Sequence, residues 1–230
     1  MSKIRAFIVG GDHNVLKLLE SDPLFEVVNG GRMPPLDAFD MVVFTGGEDI
    51  SPEFYGEENK FCSTWMNHRR DLVELNIFRH TKDTHYHFGI CRGMQLLAIA
   101  HGHKLWQDIS GHQSGRGHNM TLTRGHNAGA VIEGVTSVHH QAIYETALNA
   151  HTIMAHEAYD QPVTARSGDG KSYTLNAVPE AAWFEETRSF GVQGHPEYSI
   201  ASKAYKDYVL YHLIEDIDTG YYANTRKGRA

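Results

Sequence analysis

The sequence is poor in cysteine and has no long apolar run, and each shortage excludes a class of protein. Only two cysteines, Cys62 and Cys91, occur in 230 residues. That number is too small for a disulfide framework and is typical of a reducing cytoplasm. No apolar run approaches the roughly 18 residues that a membrane-spanning helix needs, and the N-terminal residues lack the length of a signal-peptide core. We therefore expect a soluble, cytoplasmic protein with no membrane partner.

Positive charge is also scarce. The formal net charge is −7 and the pI is about 6.1, which argues against a general nucleic-acid-binding surface. The only basic run, residues 226–229, lies within residues 219–230, which we expect to form a flexible, solvated tail. A length of 230 residues with 41% hydrophobic residues suits one α/β domain that spans 1–230.

One stretch, YHFGICRGMQLL at residues 86–97, combines a short buried strand, a tight turn and the start of an apolar helix. Gly89 and Gly93 flank Cys91 two positions away on each side, so the backbone can turn sharply and pass close to its neighbours. This is the pattern of a nucleophile elbow with sulfur in place of oxygen. A helix that starts just after Cys91 would favour the thiolate. A lone cysteine in an apolar run is usually a small core residue, so the hypothesis needs a base elsewhere.

A candidate base and acid occur together near the end of the chain, in GVQGHPE at residues 191–197. On an extended segment, His195 and Glu197 project to the same side, and Pro196 stiffens the backbone between them. A carboxylate beside an imidazole fixes its tautomer and supports its charge when it takes a proton from a thiol. A His-Pro-Glu sequence on its own can also be a surface turn. Together with Cys91, these residues supply the parts of a Cys-His-Glu triad.

Five motifs in this order resemble the signatures of the class I glutamine amidotransferase superfamily. Within it, the chain is most similar to the free-standing γ-glutamyl hydrolases of the peptidase C26 type, the group that includes γ-glutamyl-γ-aminobutyrate hydrolase. The resemblance extends from about residue 4 to about residue 215. The motifs are TGGEDISPEFYG (45–56), GICRGMQLL (89–97), WQDI (106–109), SVHHQA (137–142) and GVQGHPE (191–197).

The resemblance implies roles for further residues. It assigns an oxyanion hole to the backbone N–H groups of Gly47 and Arg92, with Gly46 lining the site, and a substrate hydrogen bond to Gln95. The segment with Ser137, Val138, His139 and His140 would lie over the α-carboxylate and α-amino groups of the glutamyl substrate; Thr136 precedes it where many relatives carry asparagine. The resemblance implies no cofactor.

The apolar pattern predicts an open, mainly parallel sheet flanked by helices, with an antiparallel extension, as in flavodoxin-like folds. Predicted strands include Ile4–Val9, Phe25–Val28 and Met41–Phe44, and short antiparallel strands follow from residue 108 onward, among them Tyr173–Val178. Helices are predicted near residues 15–19, at Asn67–Thr81, at Met94–Ala100 and at about Ile200–Ile214.

Two sets of polar residues have more than one interpretation in the sequence. Arg69, Arg70, Asp71 and Glu74 match a segment that lies near the elbow in these hydrolases, but the same pattern suits a solvated helix face. Sixteen histidines include the close pairs 85/87, 101/103 and 139/140, yet none has Cys or acidic partners at the spacing of a zinc site. We therefore expect no metal.

The residues favour acyl transfer to water through a thioester on Cys91. A hydrolase would act directly on a small γ-glutamyl compound, whereas an amidotransferase glutaminase would pass ammonia from glutamine to a separate synthetase or amidoligase partner. The loop at residues 46–56 resembles the hydrolase type and favours the first function. A third alternative is a binding protein that has lost catalysis. A homodimer is compatible with the sequence, which does not specify the oligomeric state.

Overall fold

The computed structural model describes residues 3–31, 34–62, 65–113, 115, 117–124, 127–146, 152–157 and 162–218; the predicted tail at 219–230 lies outside these ranges. The helices are α1 (His13–Glu20), α2 (His68–Thr81), α3 (Arg92–Ala100) and α4 (Lys203–Asp218). The strands are β1 (Ile4–Ile8), β2 (Phe25–Asn29), β3 (Met41–Phe44), β4 (Tyr86–Ile90), β5 (Leu105–Trp106), β6 (Asp108–Ile109), β7 (His118–Leu122), β8 (Val131–Val135), β9 (Ala142–Ile143), β10 (Ile153–Glu157), β11 (Val163–Arg166), β12 (Ser172–Leu175), β13 (Pro179–Phe184) and β14 (Ser189–Val192).

A nine-stranded sheet organises the described residues, in the order β2-β1-β3-β4-β14-β13-β10-β7-β8. The first five strands are mutually parallel, and the four that follow β14 are antiparallel to their neighbours. This confirms the predicted α/β class with an antiparallel extension. Two-stranded (β5-β9) and three-stranded (β12-β11-β6) sheets accompany it.

The central strands are buried on both faces, which explains their continuous apolar sequence. Every residue of β3 and β4 is buried. Because successive side chains of a strand point to opposite faces, the parallel half divides the core into two layers: one contains α1 and α4, and the other contains α2 and α3. Tyr205, Val209 and Leu213 of α4 are fully buried, as the periodicity predicts.

Several predicted element bounds were wrong. Strand β12 ends at Leu175 rather than Val178, and it pairs with β11 in the small sheet. Helix α4 begins at Lys203 rather than Ile200, because the Ser202 hydroxyl accepts the Tyr205 N–H (3.1 Å) and so caps the helix.

Two more helix details differ from the prediction. Helix α3 begins at Arg92, directly after Cys91, rather than at Met94. In α2, the spacing of Leu72, Leu75 and Phe78 predicts one apolar face, but Leu72 is exposed and the buried face carries Asp71 and Glu74 beside Leu75. Among the described residues, none of the helices combines the length and apolar composition that a bilayer crossing requires.

Candidate active site

Cys91 lies in a strained turn between β4 and α3. Its φ and ψ are 51° and −106°, in a region that non-glycine residues rarely adopt and that costs about 1–3 kcal/mol. The turn is held because the Cys91 N–H donates to the Val192 carbonyl (2.8 Å). A Cβ on Gly89 would lie 2.5 Å from the carbonyl carbon of Gly93, and a Cβ on Gly93 would collide with the Phe44 carbonyl. Both glycines are therefore required by close backbone approach, as the sequence pattern predicts.

The end of β14 brings His195 to the same edge of the sheet as Cys91. Strands β4 and β14 are parallel neighbours with Ile90 opposite Val192, so the chain segments that follow them leave the sheet side by side. His195 Nδ1 lies 2.6 Å from Glu197 Oε1, and both side chains are buried. Tyr198 stacks on the imidazole at a centroid distance of 4.4 Å.

The environment of His195 favours its charged form. Burial lowers its pKa, but hydrogen bonding to Cys91 and Glu197 and the charges of those two groups outweigh burial and raise the pKa to about 10. The three side chains predicted as a triad therefore interact in one pocket. A histidine held as imidazolium between a sulfur and a carboxylate is suited to general acid and base chemistry.

Thr136 and Gln193 also position this pocket, and neither role was predicted from the sequence. The Thr136 hydroxyl accepts the His195 N–H (2.5 Å) and donates to the His195 carbonyl (3.3 Å). The Gln193 amide donates to Cys91 Sγ (3.5 Å). The position of Gln193, two residues before the histidine on an extended segment, was the available signal, because i and i+2 side chains share a face.

The Thr45-Gly46-Gly47 loop lies against the imidazole. A Cβ on Gly46 would lie 2.6 Å from His195 Cε1, and a Cβ on Gly47 would collide with the Arg70 guanidinium. Gly47 also has a φ of +148°, which disfavours other residues. The loop that the resemblance assigns to the oxyanion hole is therefore adjacent to the His195 ring.

Arg70 of α2 fixes this loop. Its Nη2 donates to the carbonyls of Thr45 (3.3 Å) and Gly46 (3.0 Å), and its Nη1 pairs with Glu48 (2.8 Å). Its Nε donates to Glu74 (2.8 Å), one turn further along α2. Five donors in a rigid fork allow arginine, unlike lysine, to hold several acceptors at once.

The same helix also holds the elbow. The buried Arg92 guanidinium donates to Glu74 and to Asp71 Oδ1 (2.5 Å), and Asp71 Oδ2 accepts the Ser51 N–H (3.1 Å) and hydroxyl (2.8 Å). Glu74 thus contacts both Arg70 and Arg92, so one carboxylate connects the glycine loop to the elbow. Of the two alternatives that the sequence left open for α2, the solvated face is wrong for Asp71 and Glu74.

The predicted substrate contacts differ in their surroundings. Gln95 is buried and donates to the Gln141 carbonyl (3.1 Å) and to Gln193 (3.2 Å). In the segment after Thr136, the Ser137 hydroxyl donates to the His112 carbonyl (2.9 Å), and Val138 is 38% exposed. Ser137 therefore anchors the segment, whereas Val138 is its exposed position.

The two adjacent histidines of that segment diverge. His139 is buried, and its Nε2 lies 3.8 Å from Glu180 in a separate polar cluster, whereas His140 Nε2 lies 2.9 Å from Asp49. The hydrogen bond to Asp49 raises the pKa of His140 despite partial burial.

Cys62, the other cysteine, lies in different surroundings from Cys91. Its sulfur accepts the Gln141 amide (3.0 Å) and contacts the Tyr55 hydroxyl (3.4 Å). Burial raises the pKa of the Cys62 thiol to about 11. The neutral thiol is therefore favoured, and Cys62 is not placed to act as a nucleophile.

Comparison with known proteins identifies the family of this chain. The sequence model of Peptidase C26 matches residues 33–197, which is more than half of the chain and includes the glycine loop, the elbow and the histidine-glutamate pair. The chain belongs to the Peptidase C26 family. Protein NtpR of Enterococcus hirae is 29% identical to this C26 protein over 186 residues, which are 74% of this chain and 71% of NtpR.

Further comparisons agree with the predicted class I glutamine amidotransferase superfamily. YvdE of Lactococcus lactis, named as a glutamine amidotransferase-like protein, is 29% identical over 177 residues, 70% of this chain and 67% of YvdE. A structure described as a GMP synthase subunit from Thermoplasma acidophilum has a TM-score of 0.62 at 16% identity, with 100% of this chain and 98% of the other chain covered. PurLQS from Thermotoga maritima has a TM-score of 0.59 at 16% identity, with 94% and 97% covered.

These comparisons confirm the predicted superfamily and fold. They identify the chain as a hydrolase or amidotransferase of the glutamine amidotransferase type. At 16% identity the two structures show the fold alone.

Proposed function

We propose that this C26 protein hydrolyses the γ-glutamyl amide bond of a small γ-glutamyl compound and releases glutamate and an amine. The observation that carries this proposal is the position of His195, which interacts with Cys91 on one side and pairs with Glu197 at 2.6 Å on the other. His195 therefore lies between Cys91 and Glu197, as a base must lie between a nucleophile and an orienting acid.

The reaction begins with the thiol proton on His195, because the raised pKa of His195 favours the imidazolium. The Cys91 thiolate attacks the γ-carbonyl carbon, and the carbonyl electrons move to its oxygen. As the tetrahedral intermediate collapses, the C–N bond breaks and His195 gives its proton to the leaving amine. This leaves a thioester between Cys91 and the glutamyl group.

Water completes the cycle. His195, now neutral, takes a proton from a water molecule, whose oxygen attacks the thioester carbonyl. The C–S bond breaks, glutamate leaves, and the proton remains on His195 beside the regenerated thiolate. Glu197 stays ionised and supports the imidazolium in both halves of the reaction.

The Gly47 and Arg92 N–H groups are the proposed donors to the oxyanion, each contributing about 3 kcal/mol of transition-state stabilisation. Hydrogen bonds of α2, which we call the α2 network, hold both segments in place. Arg70 contacts the glycine loop, Arg92 belongs to the elbow, and Glu74 binds both guanidinium groups. We propose that Gln95 and the segment at residues 137–140 surround the glutamyl group.

A second function is suggested by the relative YvdE, which is named as a glutamine amidotransferase-like protein. The alternative is therefore a glutaminase that supplies ammonia to a separate synthetase, and the GMP synthase subunit and PurLQS structures share the fold that it would need. That function predicts weak turnover of glutamine by the isolated chain and stimulation by a partner protein. Steady hydrolysis of a γ-glutamyl amine by the isolated chain would favour the hydrolase.

The test is a mass-spectrometric screen of γ-glutamyl amines, γ-glutamyl peptides and glutamine with the wild type and with Cys91→Ala. We expect Cys91→Ala to lose all measurable turnover while circular dichroism shows an unchanged fold. Cys62→Ala is the matched control, because Cys62 takes no part in the proposed reaction, and it should keep turnover. Normal turnover by Cys91→Ala would exclude the thioester mechanism.

An inactive binding protein is the third alternative. Trapping the thioester distinguishes it: the wild type, mixed with a turned-over substrate and quenched in acid, should gain the mass of one glutamyl group on the peptide that contains Cys91. A wild type that neither forms this adduct nor turns over any compound in the screen would favour the binding protein.

A further inference from the structure

A second buried cluster of ionisable side chains lies beyond the triad, between the antiparallel extension and the segment at residues 137–141. Its five members come from β7, β10, β13 and two loops, so no short stretch of sequence contains more than two of them. Apart from one histidine whose side chain is 12% exposed, their side chains are at most 2% exposed. The members are His112, His118, His139, Glu157 and Glu180.

Two of these histidines direct their Nε2 atoms into the cluster. His139 Nδ1 lies 2.9 Å from the Gln141 carbonyl, and His112 Nδ1 lies 2.9 Å from the Ser110 carbonyl. A carbonyl oxygen only accepts, so each Nδ1 carries a proton. His139 Nε2 has no hydrogen bond within the described part of the chain, whereas His112 Nε2 pairs with Glu157 Oε2 (2.5 Å). Metal-binding histidines are oriented in this way, by donating their other N–H to a backbone carbonyl.

Glu180 supplies an unsatisfied carboxylate at the same place. The residue is 0% exposed, and among the described residues neither of its oxygens accepts a hydrogen bond of acceptable geometry. His118 Nε2 is 3.2 Å and His139 Nε2 is 3.8 Å from Glu180 Oε1. Glu157 Oε1 and His139 Nε2 are also unsatisfied within the described part of the chain.

Both oxygens of Glu180 and the Nε2 atom of His139 therefore lack a hydrogen bond in the described part of the chain, although His118 lies within ion-pair distance of Glu180. A buried carboxylate without hydrogen bonds is costly, and such groups in folded proteins are paired or coordinate a metal. One atom each of His112, His139 and Glu180 lies within 4.8 Å of the others, and the same holds for His118, Glu157 and Glu180. A cation between these atoms would need only modest side-chain movement.

We propose that His112 Nε2, His139 Nε2 and the Glu180 carboxylate bind a divalent transition metal of the zinc class. Two imidazole nitrogens and one carboxylate suit Zn²⁺ and its neighbours and are unlike the all-oxygen sets that Mg²⁺ and Ca²⁺ prefer. Glu157, 2.5 Å from His112 Nε2, is placed to act as a further ligand or as a counter-charge.

The sequence predicts no metal, because none of its close histidine pairs has Cys or acidic partners at the spacing of a zinc site. In the structure, only His139 of the 139/140 pair faces the cluster. Its partners lie 27 positions before it and 41 positions after it, at residues 112 and 180, so sequence spacing alone gives no zinc pattern.

Metal binding would join the segment at residues 137–141 to β13. The Glu180 carbonyl accepts the Gln193 N–H (2.9 Å), and the Gln193 side chain reaches Cys91. The metal would therefore stabilise the wall of the pocket without contacting the reacting atoms. A ligand that binds only the folded state raises the unfolding temperature.

The experiment uses the full chain and the metal alone. Protein purified without chelator is measured by plasma mass spectrometry, stripped with a chelator and titrated with Zn²⁺ and Co²⁺. We expect about one equivalent of metal per chain, visible Co²⁺ absorption bands of a nitrogen- and oxygen-ligated site, and an unfolding temperature that rises with added Zn²⁺.

Two conservative variants locate the site. Glu180→Gln and His112→Gln should each lose at least about tenfold in Zn²⁺ affinity, a loss comparable to or larger than that of an outer-shell partner. His156→Gln is the matched control. His156 lies next to Glu157 on β10 but pairs with Glu145 (2.5 Å), which is not a member of the cluster. This variant should bind metal as the wild type does.

Either of two results would overturn the proposal: a wild type that takes up no metal and shows no Zn²⁺-dependent stabilisation, or cluster variants that bind like the wild type. If the variants do not fold, anomalous diffraction from crystals of the zinc-soaked wild type decides. A peak among His112, His139 and Glu180 supports the site, and its absence there, or a peak only elsewhere, rejects it.

Discussion

Two buried polar clusters of the protein differ in how their charges are matched. In the α2 network, Arg92 donates to Asp71 and Glu74, and Arg70 donates to Glu74 and Glu48. Every carboxylate of that network therefore accepts a hydrogen bond from a guanidinium group. In the histidine cluster, the carboxylate of Glu180 has no guanidinium partner, and its contacts are the imidazole nitrogens of His118 (3.2 Å) and His139 (3.8 Å).

Buried charges can therefore either hold backbone segments in position or form a binding site, and the two clusters are examples of these two cases. A matched network positions backbone, because breaking one partner leaves an uncompensated charge and each partner is therefore held in place. The proposed metal would supply the histidine cluster with the cation that the guanidinium groups supply in the α2 network. Removing single charges from the two clusters, and from the His195 pair, tests this difference.

The largest expected effect is that of Arg92→Met. The change keeps much of the side-chain volume and the backbone N–H, but it leaves Asp71 and Glu74 buried without their shared cation. We expect the free energy of unfolding to fall by about 3–5 kcal/mol, measured by urea denaturation. Arg79→Met, at an exposed position of α2, should change it by less than about 0.5 kcal/mol. Equal stability of the two variants would show that the network is not holding the fold.

The next effect is a pH dependence from the His195 pair. The pKa of His195 is raised to about 10 in the folded protein, against about 6.5 in the unfolded chain. Protonated His195 therefore stabilises the fold fully below about pH 6.5, and this stabilisation, about 2–4 kcal/mol, is lost as the pH rises toward 10.

The measurement is the unfolding free energy of the wild type minus that of His195→Gln at several pH values. Subtraction removes the contribution of groups that both proteins share. We expect the difference to decrease between about pH 6.5 and about pH 10. A difference that stays constant across this range would mean that the imidazole does not hold its proton as the geometry indicates.

A smaller effect is expected for Arg70→Gln. The glycine loop loses the guanidinium that binds the Thr45 and Gly46 carbonyls, so the proposed oxyanion donor is less well placed. We expect kcat to fall about 10- to 100-fold, equivalent to about 1.4–2.8 kcal/mol, with a smaller change in KM. Arg69→Gln, an exposed neighbour, is the control. A rise in KM at unchanged kcat would instead indicate a role in substrate binding.

The smallest effect is expected for Glu180→Gln, and its contrast with Asp71→Asn compares the two clusters directly. Glu180→Gln and Asp71→Asn each replace a fully buried carboxylate by the matching amide. In chelator-treated protein, Glu180→Gln should change the unfolding free energy by less than about 1 kcal/mol or raise it, because burial of the unsatisfied carboxylate is relieved. Asp71→Asn should cost about 3 kcal/mol, since Arg92 loses a charged partner. Similar losses for both would erase the distinction between the clusters.

Much of the fold and of the candidate triad could be predicted from sequence. The elbow around Cys91 is recognisable because its two glycines are needed by local backbone contacts, and β3 is recognisable because a doubly buried strand is apolar at every position. His195 and Glu197 are recognisable because they share a face of an extended segment. Thr136 carried no such signal, since its hydrogen bonds join it to a residue 59 positions away.

The sequence by itself determined the α/β architecture and the residues able to act as nucleophile, base and acid, because periodicity, turns and neighbouring side chains are properties of short stretches. Only the tertiary structure decided that α2 turns Asp71 and Glu74 inward to Arg92, and that His139 meets Glu180 while His140 meets Asp49. Those outcomes depend on which strands and loops become neighbours, and adjacent residues with the same side chain can then face entirely different surroundings.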